Sequence, residues 1–241
     1  MSPTRLFEAG YCENLKLPDG GIMRLRLVGP EDREGILEAF DQLSAETRVQ
    51  RWFHPKTELS EQEIGSLVRP ADEQHGAIAA IELGPGGEEQ AGIGLARFVR
   101  IAEDPAAGEI AITIVDRWQG LGIGRILLHR LLAMMCEREI RFAEGRLHAD
   151  NRRMRRLLEP YVPASHFKRE EDVLVFRFPV PAADDPLMAQ LARNAAAVVR
   201  MFKRMAEGAI VLPLALAEKR LEAVGPKARL DELRRKDSKE D

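Results

Sequence analysis

The stretch EIAITIVDRWQGLGIGRILLHR, residues 109–130, decides how the chain is read. Ile110, Ile112 and Ile114 alternate with Ala111, Thr113 and Val115, the period of a β-strand. Asp116, Arg117 and Trp118 lead into Gln119-Gly120-Leu121-Gly122-Ile123-Gly124, after which Ile126, Leu127, Leu128, Leu131, Leu132 and Met135 fall at helical spacing. A strand running through glycines into a helix makes an anion site. The first-turn amides lack partners inside the helix, and glycines let several of them turn inward together.

The anion that best suits such a turn is a diphosphate. No Gly-Lys-Ser/Thr closes it, so it is not a P-loop, and glycines two apart do not meet the dinucleotide fingerprint G-x-G-x-x-G. The segment resembles the acyl-CoA signature of the GNAT acetyltransferase superfamily, Q/R-x-x-G-x-G/A, with Gln119, Gly122 and Gly124 in the three fixed places. The resemblance implies that the amides of Gly120, Leu121, Gly122, Ile123, Gly124 and Arg125 hold the pyrophosphate of acetyl-CoA, the co-substrate.

Working outward, Leu15-Lys16-Leu17 and Ile22 to Val28 flank the hairpin-turn residues Pro18-Asp19-Gly20-Gly21. A helix starts near Pro30, with Ile36, Leu37, Phe40 and Leu43 as its apolar stripe. Ser44 opens a second helix, and Ser60 with Glu63 caps a third. His75 to Leu83 and Ala91 to Ile101 read as strands joined by Gly84-Pro85-Gly86-Gly87. Beyond the central helix come a short strand ending at Ala149, a helix from Asp150 or Asn151 to about Glu159, and a strand from Asp172 to Val180. This is an α/β protein with a mixed sheet and helices on both faces, and the order matches the GNAT acyl-CoA N-acyltransferase fold. The expected organisation is an arm and first hairpin strand (1–19, with 1–10 a loose arm), an acetyltransferase domain (20–180) and a helical C-terminal extension with a charged tail (181–241). In the extension, Leu187, Leu191, Ala195, Val198, Phe202 and Met205 make one apolar face, which reads as a clamp on the domain or a homodimer surface.

Acyl transfer to an amine needs a base, because a lysine amine with pKa near 10.4 is almost wholly protonated at neutral pH. Glu109 is the candidate. Strand parity sets it with Ala111, Thr113 and Val115, whose small side chains leave room for a cleft. In the bacterial protein-lysine acetyltransferase domains that this sequence resembles, the catalytic glutamate heads the same strand. Leu43 to Arg48 and Arg51-Trp52-Phe53 are softer matches to those domains. The superfamily's pantetheine arm pairs with the open end of this strand, where Ile114 and Val115 stand. Asn151 occupies the helix start that contacts the CoA arm in relatives, and it is equally suited to cap that helix. The tyrosine that many relatives use to protonate the leaving thiolate is Leu158 here, and Tyr161 does not match its spacing. The run Arg152, Arg153, Arg155, Arg156 is a solvated face by default.

Composition bounds the rest. The chain has 241 residues, 45% hydrophobic and 31% charged, with a formal charge of -3, which gives no electrostatic case for nucleic acid. Cys12 and Cys136 make no disulfide framework, the histidines show no metal-ligand spacing, and no G-x-S-x-G elbow appears. With no signal-peptide pattern or apolar run long enough for a membrane span, a cytoplasmic enzyme without a metal is expected. Its partners are acetyl-CoA and an amine acceptor, a protein lysine by the resemblance. A small-molecule amine acetyltransferase and a non-catalytic acyl-CoA sensor are the alternatives.

Overall fold

The computed structural model describes residues 5–17 and 20–182; the expected helical extension lies outside them, apart from its first two residues. Eight strands form one sheet: β1 (Cys12–Lys16), β2 (Ile22–Leu27), β3 (His75–Leu83), β4 (Glu89–Arg100), β5 (Ala107–Ile114), β6 (Phe142–His148), β7 (Lys168–Glu170) and β8 (Val173–Pro179). Their order is β1-β2-β3-β4-β5-β6-β8-β7. Every neighbouring pair is antiparallel except β5 and β6, which run parallel. Among the described residues the α-helices are α1 (Arg33–Asp41), α2 (Ala45–Trp52), α3 (Glu61–Leu67), α4 (Ile123–Glu137) and α5 (Arg152–Leu158).

The expected periodicities set which faces are covered. Met23 and Leu25 of β2 are buried while Arg24 and Arg26 are less so. α4 buries Leu127, Leu128, Leu131, Leu132, Met134 and Met135, and packs on β3, β4 and β5. Its Met134 meets Gly76 and Phe98, where a Cβ at Gly76 would come within 2.6 Å of the Phe98 ring. The preceding residue of β4, Arg97, points to the other face, the side taken by α1 and α2. Ser44 caps α2 through the Thr47 amide, and Ser60 and Glu63 form the expected capping box on α3.

Three features depart from the sequence reading. From Arg5 on, the N-terminal segment is no loose arm. The Glu137 carboxylate accepts from the amides of Leu6 and Phe7 at 3.0 and 3.1 Å, the buried Arg138 guanidinium donates to the Phe7 carbonyl at 3.0 Å, and the Phe7 ring is in the core. β1 starts at Cys12, three residues earlier than expected, paired in register with Arg26. The sheet also gains β7, all exposed, which turns into β8 through Glu171 at φ 54°. Among the described residues no helix is long and apolar enough to cross a membrane.

Candidate active site

The site starts from a parting of two strands. β5 and β6 pair only from Ala107–Phe142 to Glu109–Glu144. Beyond that point β5 stays with β4 as far as Ile114–Gly94, while β6 stays with β8 as far as His148–Val173. Near the apex Gly145 lies against β5, and a Cβ there would stand 3.1 Å from the Ile110 carbonyl oxygen. Val115 donates its amide to the Ile93 carbonyl at 2.9 Å, toward β4. By strand alternation the backbone of Ile112 and the amide of Ile114 then face the open wedge, an edge on which an extended ligand can pair, while the Ile114 carbonyl is taken by Gln119. Val115 contributes a buried side chain to the cleft wall instead.

The wedge leads to the glycine turn. Gly120 and Gly122 both have φ 83°, a left-handed conformation that L side chains resist, with no atom within 4 Å of where a Cβ would stand. Gly122 is the N-cap of α4, a fifteen-residue helix. Its carbonyl accepts from the amides of Arg125 and Ile126 at 3.1 and 3.2 Å, so the Arg125 amide is already engaged. Ile123 and Gly124 in the first turn have no carbonyl behind them. Bare backbone, two uncommitted amides and the positive end of a helix dipole suit a diphosphate. Leu121 is exposed beside them.

Gln119 holds this corner together. Its Nε2 donates to the Ile114 carbonyl at 2.9 Å and reaches Thr47 Oγ1 at 3.4 Å, while its Oε1 accepts from Arg153. Arg153 thus has a partner at the turn while staying exposed. Asn151 acts as a cap: its Oδ1 accepts from the Met154 amide at 2.9 Å. Asp116 was not singled out from the sequence. Its carboxylate accepts from the Ser44 amide and hydroxyl at 2.9 and 2.7 Å and from the Thr47 hydroxyl at 2.8 Å. Burial raises its pKa, but these hydrogen bonds outweigh burial and hold it below the usual carboxylate range. The doublet of hydroxyls at the N-cap and third position of α2 was the available signal. Asp116 thus fixes α2 to the turn.

Glu109 stands at the apex with its side chain exposed, and parity puts Ala111, Thr113 and Val115 on its face, as expected. Those three, with Ile36, Phe40 and Trp52, line a cavity of about 250 Å³ under α1 and α2. Glu109 and Ala111 line an adjoining cavity of about 390 Å³ with Arg51, Arg97 and Ser66. Burial and the neighbouring Arg97 push the Arg51 pKa down to about 10, against the pull of Glu109 and Glu63. Burial also lowers Arg97, again opposed by Glu109. Sequence reading named Arg51 only within a soft match and gave neither arginine a role, because their meeting depends on how α2 lies over β4. Leu158, at the relatives' tyrosine position, is in the core, and the Tyr161 ring stacks on Phe178 with centroids 5.2 Å apart. No cluster of potential metal ligands occurs among the described residues.

A family model described as an acetyltransferase (GNAT) domain matches residues 23–161. The chain belongs to the GNAT acetyltransferase family. It is 30% identical over 141 residues to the acetyltransferase PA5475 of Pseudomonas aeruginosa, covering 58% of this chain and 74% of that one. Among solved structures it resembles the GNAT domain of S. lividans PAT, with TM-score 0.62, 27% identity, and coverage of 72% of this chain and 99% of that one. The spermidine N-acetyltransferase of Vibrio cholerae, solved with CoA and spermine, shares the fold at TM-score 0.50 and 19% identity over 66% of this chain and 95% of that one. As a GNAT acetyltransferase the protein is a transferase, and the family's donor is acetyl-CoA.

Proposed function

We propose that the protein is an N-acetyltransferase that moves the acetyl group of acetyl-CoA to a primary amine, with a protein lysine as acceptor and Glu109 as general base. The observation that carries this reading is the position of Glu109 where β5 and β6 part. From there it faces a cavity on one side of the sheet, while the wedge leads to the glycine turn. Gly122, Ile123 and Gly124 receive the pyrophosphate, Ile114 pairs with the pantetheine arm, Gln119 keeps the turn against the strand, and Asn151 borders the wedge.

Glu109 accepts the proton that the ammonium form must lose, directly or through water. The neutral amine then attacks the thioester carbonyl. A C–N bond forms, the C–S bond breaks, the CoA thiolate leaves with the bonding pair, and the surplus proton of the new amide nitrogen passes to that thiolate to give CoA thiol and a neutral amide. A thiol with a pKa near 8.5 needs little help to leave, so the absence of a tyrosine at position 158 does not stop the reaction. The lysine acceptor is supported by the resemblance of Glu109, Leu43 to Arg48 and Arg51-Trp52-Phe53 to bacterial protein-lysine acetyltransferase domains.

The test is to incubate the full chain with acetyl-CoA and separate panels of lysine peptides, polyamines and aminoglycosides, following released thiol and acetylated mass. Thiol release that depends on the lysine peptides is the expected result. Turnover of polyamines or aminoglycosides alone would transfer the reading to a small-molecule acceptor. Saturable acetyl-CoA binding with no amine-dependent release would replace it with a sensor.

A further inference from the structure

The cavity beside Glu109 carries more positive charge than the chemistry above uses. Arg97 on β4 and Arg51 on α2 enter it from two elements, and Glu109 and Glu63 are the acids in its wall. Glu63 is committed elsewhere: Lys56 lies 2.8 Å from its carboxylate, and the Ser60 amide and hydroxyl each donate to it at 2.8 Å. Lys56 first, then the Ser60 bonds, overcome burial and hold Glu63 at about 2.

Among the described residues neither Arg51 nor Arg97 forms an ion pair. The contact Arg97 makes is a long one, 3.4 Å, to the Ser66 hydroxyl, and Arg51 lies over the neighbouring Trp52 ring at 5.2 Å. Two guanidiniums therefore face one uncommitted carboxylate. Buried cations persist where something neutralises them. A purely cationic acceptor such as a polyamine would add like charge to this chamber.

We infer that the acceptor carries an anionic group beside its amine, and that Arg51 and Arg97 bind this anion while Glu109 takes the amine. This rests on reading the cavity as the acceptor side. Guanidiniums hold carboxylates and phosphates through paired N–H donors, an arrangement that lysine-type point charges do not supply. Such a pocket selects by what it rejects as well: an amine without an anion leaves a half-buried positive charge unmet. An acidic residue next to a peptide lysine supplies the anion, and so does the carboxylate of a free amino acid.

The test is binding, so that it stands apart from turnover. The full chain, saturated with CoA, is titrated with fluorescent Asp-Lys-Asp and Asn-Lys-Asn peptides, and in a second arm with lysine and lysinamide as competitors. Each pair differs by charge and little else. The acid member is expected to bind about tenfold more tightly in at least one arm, and the arm that shows it names the source. Arg51→Gln and Arg97→Gln, checked for folding by circular dichroism, bring the two members of the pair toward equal affinity. Equal binding of acid and amide forms in both arms of the wild type would overturn the inference, and that comparison needs no variant. A selective protein that never acetylates would instead count against the acetyl-transfer reading.

Discussion

Replacing Glu109 by glutamine lowers kcat for amine acetylation by about 10²–10⁴-fold, the range expected when a general base is removed. The side chain is exposed and keeps its volume, so stability changes little. Acetyl-CoA affinity is unchanged, because Glu109 stands near the head of β5, at the other end of the strand from the glycine turn. The residual rate rises with pH as the free amine becomes more abundant without assistance. Steady-state kinetics with calorimetric donor titration check this. A variant that retains kcat within about threefold of the wild type would remove Glu109 from the chemistry.

The second large effect is acid destabilisation above the range where carboxylates titrate. His75 and His129 are buried. Burial, then Arg97 and Arg69, depress His75 to about 4 against the pull of Asp72, and burial, then Arg130 and Arg125, depress His129 to about 4. Their ordinary value is near 6.5. The unfolded chain then binds protons between pH 6.5 and 4 that the folded chain does not, so stability is fully present above 6.5 and falls as pH drops through this window. Each imidazole accounts for about 3 kcal/mol at the acid end. Urea unfolding at pH 7.5, 6 and 4.5 reads the slope, and His129→Leu flattens it by about half. A stability that stays level from pH 7 to 4.5 would show that neither imidazole is kept neutral by the fold.

The central strand, turn and helix were legible because period and glycine spacing are local properties. So was the parity that sets Glu109 with Ala111, Thr113 and Val115, since nothing interrupts β5 between them. The irregularities in the sheet fall instead between β3 and β4, at Ala80–Ile81 and Ile81–Leu83, away from β5. What sequence did not give depends on distant partners. The anchoring of Phe7 needs Glu137 and Arg138, some 130 residues away. β7 is three exposed charged residues with no pattern of its own, and it exists because β8 offers an edge. Asp116 reads as one acid in a turn until Ser44 and Thr47 are seen to share it. Arg51 and Arg97 show no common purpose until α2 is laid over the sheet. The turn's chemistry was visible, then, while the acceptor wall was written in tertiary contacts.

In the proposed reaction the glycine turn is the place where acetyl-CoA is held. Calorimetric titration of the full chain with acetyl-CoA, beside a Gly122→Glu variant, tests it most directly. A side chain at φ 83° costs about 1–2 kcal/mol, and a carboxylate there repels the pyrophosphate it faces. The prediction is saturable one-site binding by the wild type and none detectable in the variant, with both showing the same far-ultraviolet circular dichroism. A folded wild type that takes up no acetyl-CoA, or a variant that binds it as well as the wild type, would contradict the account.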